Sequence, residues 1–179
     1  MKKLLTTLLL LLLLLLFVVT TAISQEAYFI TFGFDPKLAI KGAYKYDETS
    51  ILDVSFKTGT RLKGNWEVGV GAEYAQLNPS YLAGKLYVNK VFFNWRETLA
   101  IAVGAEFVTI QRGRYGDNKK INAQGTFGLN AETRFFITPN TSIDFALGFL
   151  HRKDLLKMYN DKVFFKINGT ISITFQTQR

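Results

Sequence analysis

The run Ile121-Asn122-Ala123-Gln124-Gly125-Thr126-Phe127-Gly128-Leu129-Asn130-Ala131-Glu132-Thr133-Arg134-Phe135-Phe136-Ile137 decides the fold. Its odd positions are mostly apolar: Ile121, Ala123, Phe127, Leu129, Ala131, Phe135 and Ile137. Its even positions carry Asn122, Gln124, Thr126, Asn130, Glu132 and Arg134. Successive side chains of a β-strand point to opposite faces, so a period of two makes one greasy face and one polar face. A helix would need apolar positions three and four apart.

The pattern recurs along the chain. Val163, Phe165, Ile167, Ile171, Ile173 and Phe175 alternate with Lys166, Asn168, Thr170, Ser172 and Thr174. Trp66 to Tyr74 and Leu99 to Phe107 behave alike. Eight such segments are expected, at about 27–35, 51–62, 66–77, 81–93, 98–110, 121–137, 142–151 and 162–175. Asp35-Pro36 ends the first, because proline cannot donate to a ladder. Alternation resumes at Leu38, Ile40, Tyr44 and Tyr46, where either a strand extension or a loop is open. Tight connections at Lys63-Gly64-Asn65, Asn94-Trp95-Arg96-Glu97 and Thr138-Pro139-Asn140-Thr141 alternate with longer ones at 36–50, 111–120 and 152–161; Asn78-Pro79-Ser80 is a short exception. Tight turns on one side and long loops on the other mark an up-and-down transmembrane β-barrel, here all-β, antiparallel and eight-stranded.

Alternation alone does not say which face turns inward. A soluble lipocalin-like carrier has its apolar side chains inside, and a membrane barrel reverses this. The polar face here is rich in small residues, among them Gly59, Gly69, Gly71, Ala75, Ala83, Ala100, Ala102, Gly104, Gly128, Ala146 and Gly148. Such residues are poor strand formers, yet the interior of an eight-stranded barrel is only wide enough to be filled by side chains. The same face carries Asp53, Lys57, Arg61, Glu67, Glu73, Lys85, Glu106, Glu132, Arg134, Asp144 and Lys166. Buried charges need partners, so these are expected to form a lumen network. Aromatics should ring the two membrane boundaries: Tyr28, Trp66, Trp95, Phe135 and Phe175 at the end with the tight turns, and Phe34, Tyr74, Tyr81, Phe107, Phe149 and Phe165 at the other.

The N-terminus sets the compartment. Met1-Lys2-Lys3, an apolar run from Leu4 to Val19, and a small-residue site at Ala22 and Ser24 form a secretory signal. Residues 1–24 are expected to be removed, leaving one barrel domain over 25–179. The apolar run falls short of the ~20 residues of a spanning helix. With no cysteine in the chain, a lipoprotein anchor and disulfide stapling are both ruled out. The formal charge of +8 suits anionic lipid or polysaccharide better than nucleic acid in an exported protein.

The signal, the eight alternating strands and the closing Gly169-Thr170-Ile171-Ser172-Ile173-Thr174-Phe175 together resemble small outer-membrane barrels of the OmpA/OmpX-like kind. The segment Gly33-Phe34-Asp35-Pro36-Lys37 is similar to that of small barrels from Bacteroidota. The resemblance implies a bacterial outer-membrane location with periplasmic termini. It also implies insertion by the barrel-assembly machinery, which reads a terminal strand with a closing aromatic; here Gln176-Thr177-Gln178-Arg179 follows Phe175.

Chemistry is sparse. No cysteine and one histidine, His151, cannot assemble a zinc cluster, and no acidic loop has calcium-motif spacing. No cofactor is expected. His151 sits where a lipid-modifying enzyme would place a base, but Ser142 lies at the far end of the same segment and Ser172 has lumen parity, so no nucleophile accompanies it. The informative signal is basic loops: Lys37 and Lys41; Arg112, Arg114, Lys119 and Lys120; Arg152, Lys153 and Lys157. These are expected to contact lipopolysaccharide or another polyanion. Leu155, Leu156, Met158 and Tyr159 add an apolar patch beside them. The expected function is a monomeric, non-enzymatic barrel with a structural or surface-interaction role. A lipid-modifying enzyme and a soluble periplasmic carrier are the alternatives.

Overall fold

A computed structural model describes residues 25–37, 53–76, 80–95, 98–115, 119–120, 122–152, 154 and 165–177. The leader at 1–24, the alternating stretch at 38–46 and the apolar patch at 155–159 lie outside these residues.

Eight long strands close into one barrel. They are β1 (Gln25–Phe34), β2 (Asp53–Leu62), β3 (Trp66–Ala75), β4 (Tyr81–Trp95), β5 (Leu99–Arg112), β8 (Gln124–Thr138), β9 (Thr141–His151) and β10 (Phe165–Gln176). Between β5 and β8, inside the expected loop, β6 (Arg114–Tyr115) and β7 (Lys119–Lys120) form a separate two-stranded ladder. Every neighbouring pair in the barrel is antiparallel, and β1 pairs β10 to close the ring in the order β1-β10-β9-β8-β5-β4-β3-β2. Closure pairs the two strands that would otherwise be edges, where an open sheet would expose unpaired N–H and C=O groups.

The strands are staggered. Paired residues run Phe29, Gly59, Gly69, Tyr87, Glu106, Gly128, Leu150, Lys166 around the wall. Lys166 is five residues before Ile171, the partner of Phe34, so the same register carries the ring to position 39, ten positions beyond Phe29. That offset tilts the strands, as barrel closure requires. The register slips at Val91/Phe93 and Phe136/Thr138, both next to tight turns. The turn after β2 places Gly64 and Asn65 at positive φ, 77° and 60°, a conformation that only glycine and asparagine adopt readily.

The two faces separate cleanly. Val54, Phe56, Val70, Leu82, Leu86, Ile101, Val103, Leu129, Phe145, Leu147, Ile167 and Ile173 are exposed on the outside, with Phe127 at 74 %. Val68 is an exception, in outward phase yet covered. Alanines fill the inside: Ala75, Ala83, Ala100, Ala102 and Ala146 are buried. Gly59 and Gly69 make room for the Tyr87 ring, since a Cβ at either would strike the Tyr87 hydroxyl and the neighbouring strand's backbone. Apolar clusters stop the lumen at both ends: Val91, Ala100 and Ala102 with Phe136 at the tight-turn end, and Tyr81, Val108, Ile110 and Leu150 at the long-loop end.

Tyr28, Trp66, Trp95, Phe135 and Phe175 are exposed around the tight-turn end, and Phe34, Tyr74, Phe107 and Phe149 around the other. Tyr81 departs from the expected girdle. It is 2 % exposed, because it shares the inward phase of Ala83, Lys85, Tyr87 and Asn89 along β4.

Candidate functional site

The lumen holds the charged side chains, arranged in storeys. Arg134 on β8 organises the storey nearest the tight turns. Its Nη1 and Nη2 donate to the Glu67 carboxylate across the barrel at 2.6 and 2.8 Å, and its Nε donates to Glu132 at 2.6 Å. Arg61 also donates to Glu67, through Nε and Nη2 at 3.1 and 2.7 Å. Lys57 reaches Glu132 at 3.4 Å from the opposite wall. Phe29 covers the Arg134 guanidinium at 5.6 Å. Asp144 lies 3.9 Å from Arg134 and accepts hydrogen bonds from Ser142 and Thr174. The forked Arg134–Glu67 geometry is the strong form of a charge-assisted bond.

Above it, Lys85 pairs with Glu73 at 2.5 Å, and Glu106 points at the same level, beside Gly128 and Gly148. Asp53 accepts a bond from the Asp35 amide at 2.9 Å, and Asp35 accepts one from the Lys37 amide at 2.7 Å. Asp35, Glu73, Lys85 and Glu106 help line a polar cavity of about 30 Å³. Water fits such a space, whereas a drug-sized ligand needs roughly 300–1,000 Å³. Of the expected lumen set, only Lys166 has a side chain outside the described residues.

The long-loop mouth is closed by a group that contradicts part of the expectation for the loops. Arg112 and Arg152 were expected at the outer rim facing polyanions, but both are 4 % exposed and turn into the barrel. Each guanidinium stacks on Tyr81 at 4.9 Å, and both donate to Asp154: Arg112 Nε at 2.9 Å, Arg152 Nε and Nη2 at 2.8 Å each. Burial works to raise the Asp154 carboxyl, but the hydrogen bond and charge of Arg152, followed by those of Arg112, hold it below its ordinary value. The signal for this was parity. Arg112 continues the inward phase of Glu106, Val108 and Ile110, and Arg152 that of Ala146, Gly148 and Leu150. The limit drawn at 110 and the reading of 152 as loop hid it. Asp154 carried no signal, being inside an expected loop.

Of the other basic residues, Lys37 is exposed. Arg114 stands opposite Lys120 in the β6–β7 ladder, next to Lys119; Lys41, Lys153 and Lys157 lie outside the described residues. His151 is half-buried, and its carbonyl accepts a bond from Thr126 Oγ1 at 2.6 Å. Ser142 is spent on Asp144 at the far end of β9. Among the described residues no group of three histidine or acidic side chains is placed to hold a metal.

An exterior of exposed aliphatic and aromatic side chains around a filled, charged lumen is the inverse of a soluble carrier. It defines an eight-stranded transmembrane β-barrel of the outer-membrane type. The N-terminal β-barrel domain of Pseudomonas aeruginosa OprF has this fold: 11 % identity, TM-score 0.64, covering 86 % of this chain and 99 % of that one. So has a de novo designed transmembrane barrel, at 12 % identity and TM-score 0.53, covering 86 % and 96 %. Ail, the attachment invasion locus protein of Yersinia pestis, matches in its complex with the heparin analogue sucrose octasulfate: 13 % identity, TM-score 0.51, covering 86 % and 99 %. No family model and no curated protein matches this sequence.

Proposed function

We propose that this chain is a non-enzymatic integral protein of a bacterial outer membrane, monomeric, with periplasmic termini and tight turns, and with long loops that contact anionic glycolipid or another polyanion. The observation that carries the membrane role is the inversion of the barrel: apolar side chains outside, paired ions inside. Lys37, Arg114, Lys119 and Lys120 are the cations retained for polyanion contact; Lys41, Lys153 and Lys157 join them on sequence grounds. Arg112 and Arg152 are removed, since both are committed to Asp154. That a barrel of this fold, Ail, has been crystallised with a sulfated sugar supports the idea that such a rim can receive polyanions. The closing strand through Phe175 is proposed as the segment handed to the barrel-assembly machinery.

Fractionation tests the membrane role: the protein should need detergent for release and migrate faster on a gel before boiling than after. Charge reversal at Arg114, Lys119 and Lys120 together should weaken retention on lipopolysaccharide or heparin, and unchanged retention would remove the polyanion role. His151→Ala should leave the glycolipid profile as it is by mass spectrometry; an altered profile would revive an enzymatic role.

A further inference from the structure

We propose that Lys90, Trp66 and the turn at Lys63-Gly64-Asn65 form a headgroup site for an anionic phospholipid, in the leaflet at the tight-turn end. The inference rests on the transmembrane reading of the barrel and is independent of the polyanion role of the loops.

Lys90 is the odd residue on the outer wall. On β4 it shares the outward phase of Leu82, Leu86 and Val88, all exposed. Among the described barrel strands with assigned side chains it is the one lysine or arginine in that phase; Lys57, Arg61, Lys85, Arg112 and Arg134 all turn inward. A cation facing acyl chains at mid-membrane is costly in such a barrel, and near the boundary it costs little. The register puts Lys90 at the boundary, directly opposite Trp66, the first residue after the turn.

Its ammonium is held there. It lies over the Trp66 ring at 5.1 Å and donates to the Gly64 carbonyl. The turn is tied to the same strand, since the Val91 amide donates to the Asn65 carbonyl at 2.9 Å. An ammonium has three donors, and no carboxylate among the described residues pairs with this one. Lys63, the first residue of the same turn, is exposed. Two cations at a membrane boundary, one fixed on an aromatic face, match a phosphodiester. Val88 and Phe92, 46 % and 70 % exposed, give the acyl chains an apolar wall next to it. Choline-type headgroups carry their own cation and would be repelled by the pair, so the site should select glycerol-type anionic headgroups.

Trp66 and Trp95 are the two tryptophans of the chain, which makes the site observable. Full-length barrel carrying Trp95→Phe is folded into phosphatidylcholine vesicles, and Trp66 emission is quenched by brominated-chain lipid added as phosphatidylglycerol or as phosphatidylcholine. Phosphatidylglycerol should quench about five-fold more strongly per lipid, the factor expected for one lysine acting at a membrane surface. Lys90→Gln should bring the two lipids level, and Lys90→Arg should keep the preference. Equal quenching in the parent, or a preference that survives Lys90→Gln, would overturn the proposal. So would loss of the preference on adding soluble glycerol phosphate, which would identify a free-phosphate site instead. Phosphatidylcholine quenching retained in Lys90→Gln shows that the barrel is still inserted. Loss of headgroup preference then stands apart from loss of the membrane role.

Discussion

Replacing Arg134 with methionine should cost more stability than any other single change in the lumen. The side chain makes three charge-assisted hydrogen bonds, two to Glu67 and one to Glu132. Each is worth about 1.5–3 kcal/mol net, so their simple sum sets an upper bound. Two partial compensations remain: Arg61 still holds Glu67, and Lys57 still holds Glu132 at 3.4 Å. Glu67 is nevertheless 0 % exposed, and a carboxylate stranded with half its partners is the costly case. The expected loss is therefore about 3–5 kcal/mol, typical of breaking a buried ion pair from one side. Adding Glu67→Gln to Arg134→Met removes the stranded charge and should recover part of the loss, about 0.5–3 kcal/mol of coupling. Arg134→Lys should fall between, because a single ammonium cannot bridge both carboxylates as the fork does. The assay is urea titration of the barrel folded in vesicles, followed by the gel shift between folded and unfolded bands. A loss below about 1 kcal/mol for Arg134→Met, or strict additivity in the double variant, would show that the network is not a cooperative core.

Three further outcomes follow from the same structure. Gly69→Ala should destabilise the barrel by about 1–3 kcal/mol, read by the same titration, because its Cβ would meet the Thr58 carbonyl and the Tyr87 ring. Leu147→Arg, at a lipid-facing position 62 % exposed, should cost about 2–4 kcal/mol in vesicles; a neutral result would mean that this surface does not face acyl chains. The mouth should loosen in acid. The Asp154 carboxyl is held below its ordinary value of 3.8, so its stabilisation is complete above that value and is lost as pH falls below it through the folded value. Hydrogen exchange at the ends of β5 and β9 should rise over that window, and Asp154→Asn should show the raised exchange already at neutral pH.

Strand number, approximate strand limits and the facing of nearly every residue were written in the period-two pattern, because a strand's side-chain geometry is local. The distinction between lipid-facing and soluble barrels was also legible, in the small residues opposite the greasy face: eight strands enclose too little space for large side chains throughout. Parity further predicted that Lys57, Glu67, Glu132 and Arg134 share one face. It holds at Tyr81, Arg112 and Arg152 as well, which were read as girdle and loop residues instead. Tyr81 opens β4 in the inward phase of Ala83, β5 runs on to Arg112 past the limit drawn at 110, and Arg152 keeps the inward phase of β9 one residue beyond its end.

Partner choice belonged to the tertiary structure alone. Parity places a side chain inside the barrel but says nothing about its height, and height depends on how far each strand slides against the next. The ten-residue stagger accumulated around the ring is what brings Arg134 level with Glu67, three strands away, and Glu132 within reach of Lys57 on the opposite wall. The same slide brings Lys90 beside the turn that precedes Trp66, and Asp154 between Arg112 of β5 and Arg152 just beyond β9. Hydrogen bonds between backbones set that slide jointly, through closure of the whole ring. No single segment of the sequence contains it.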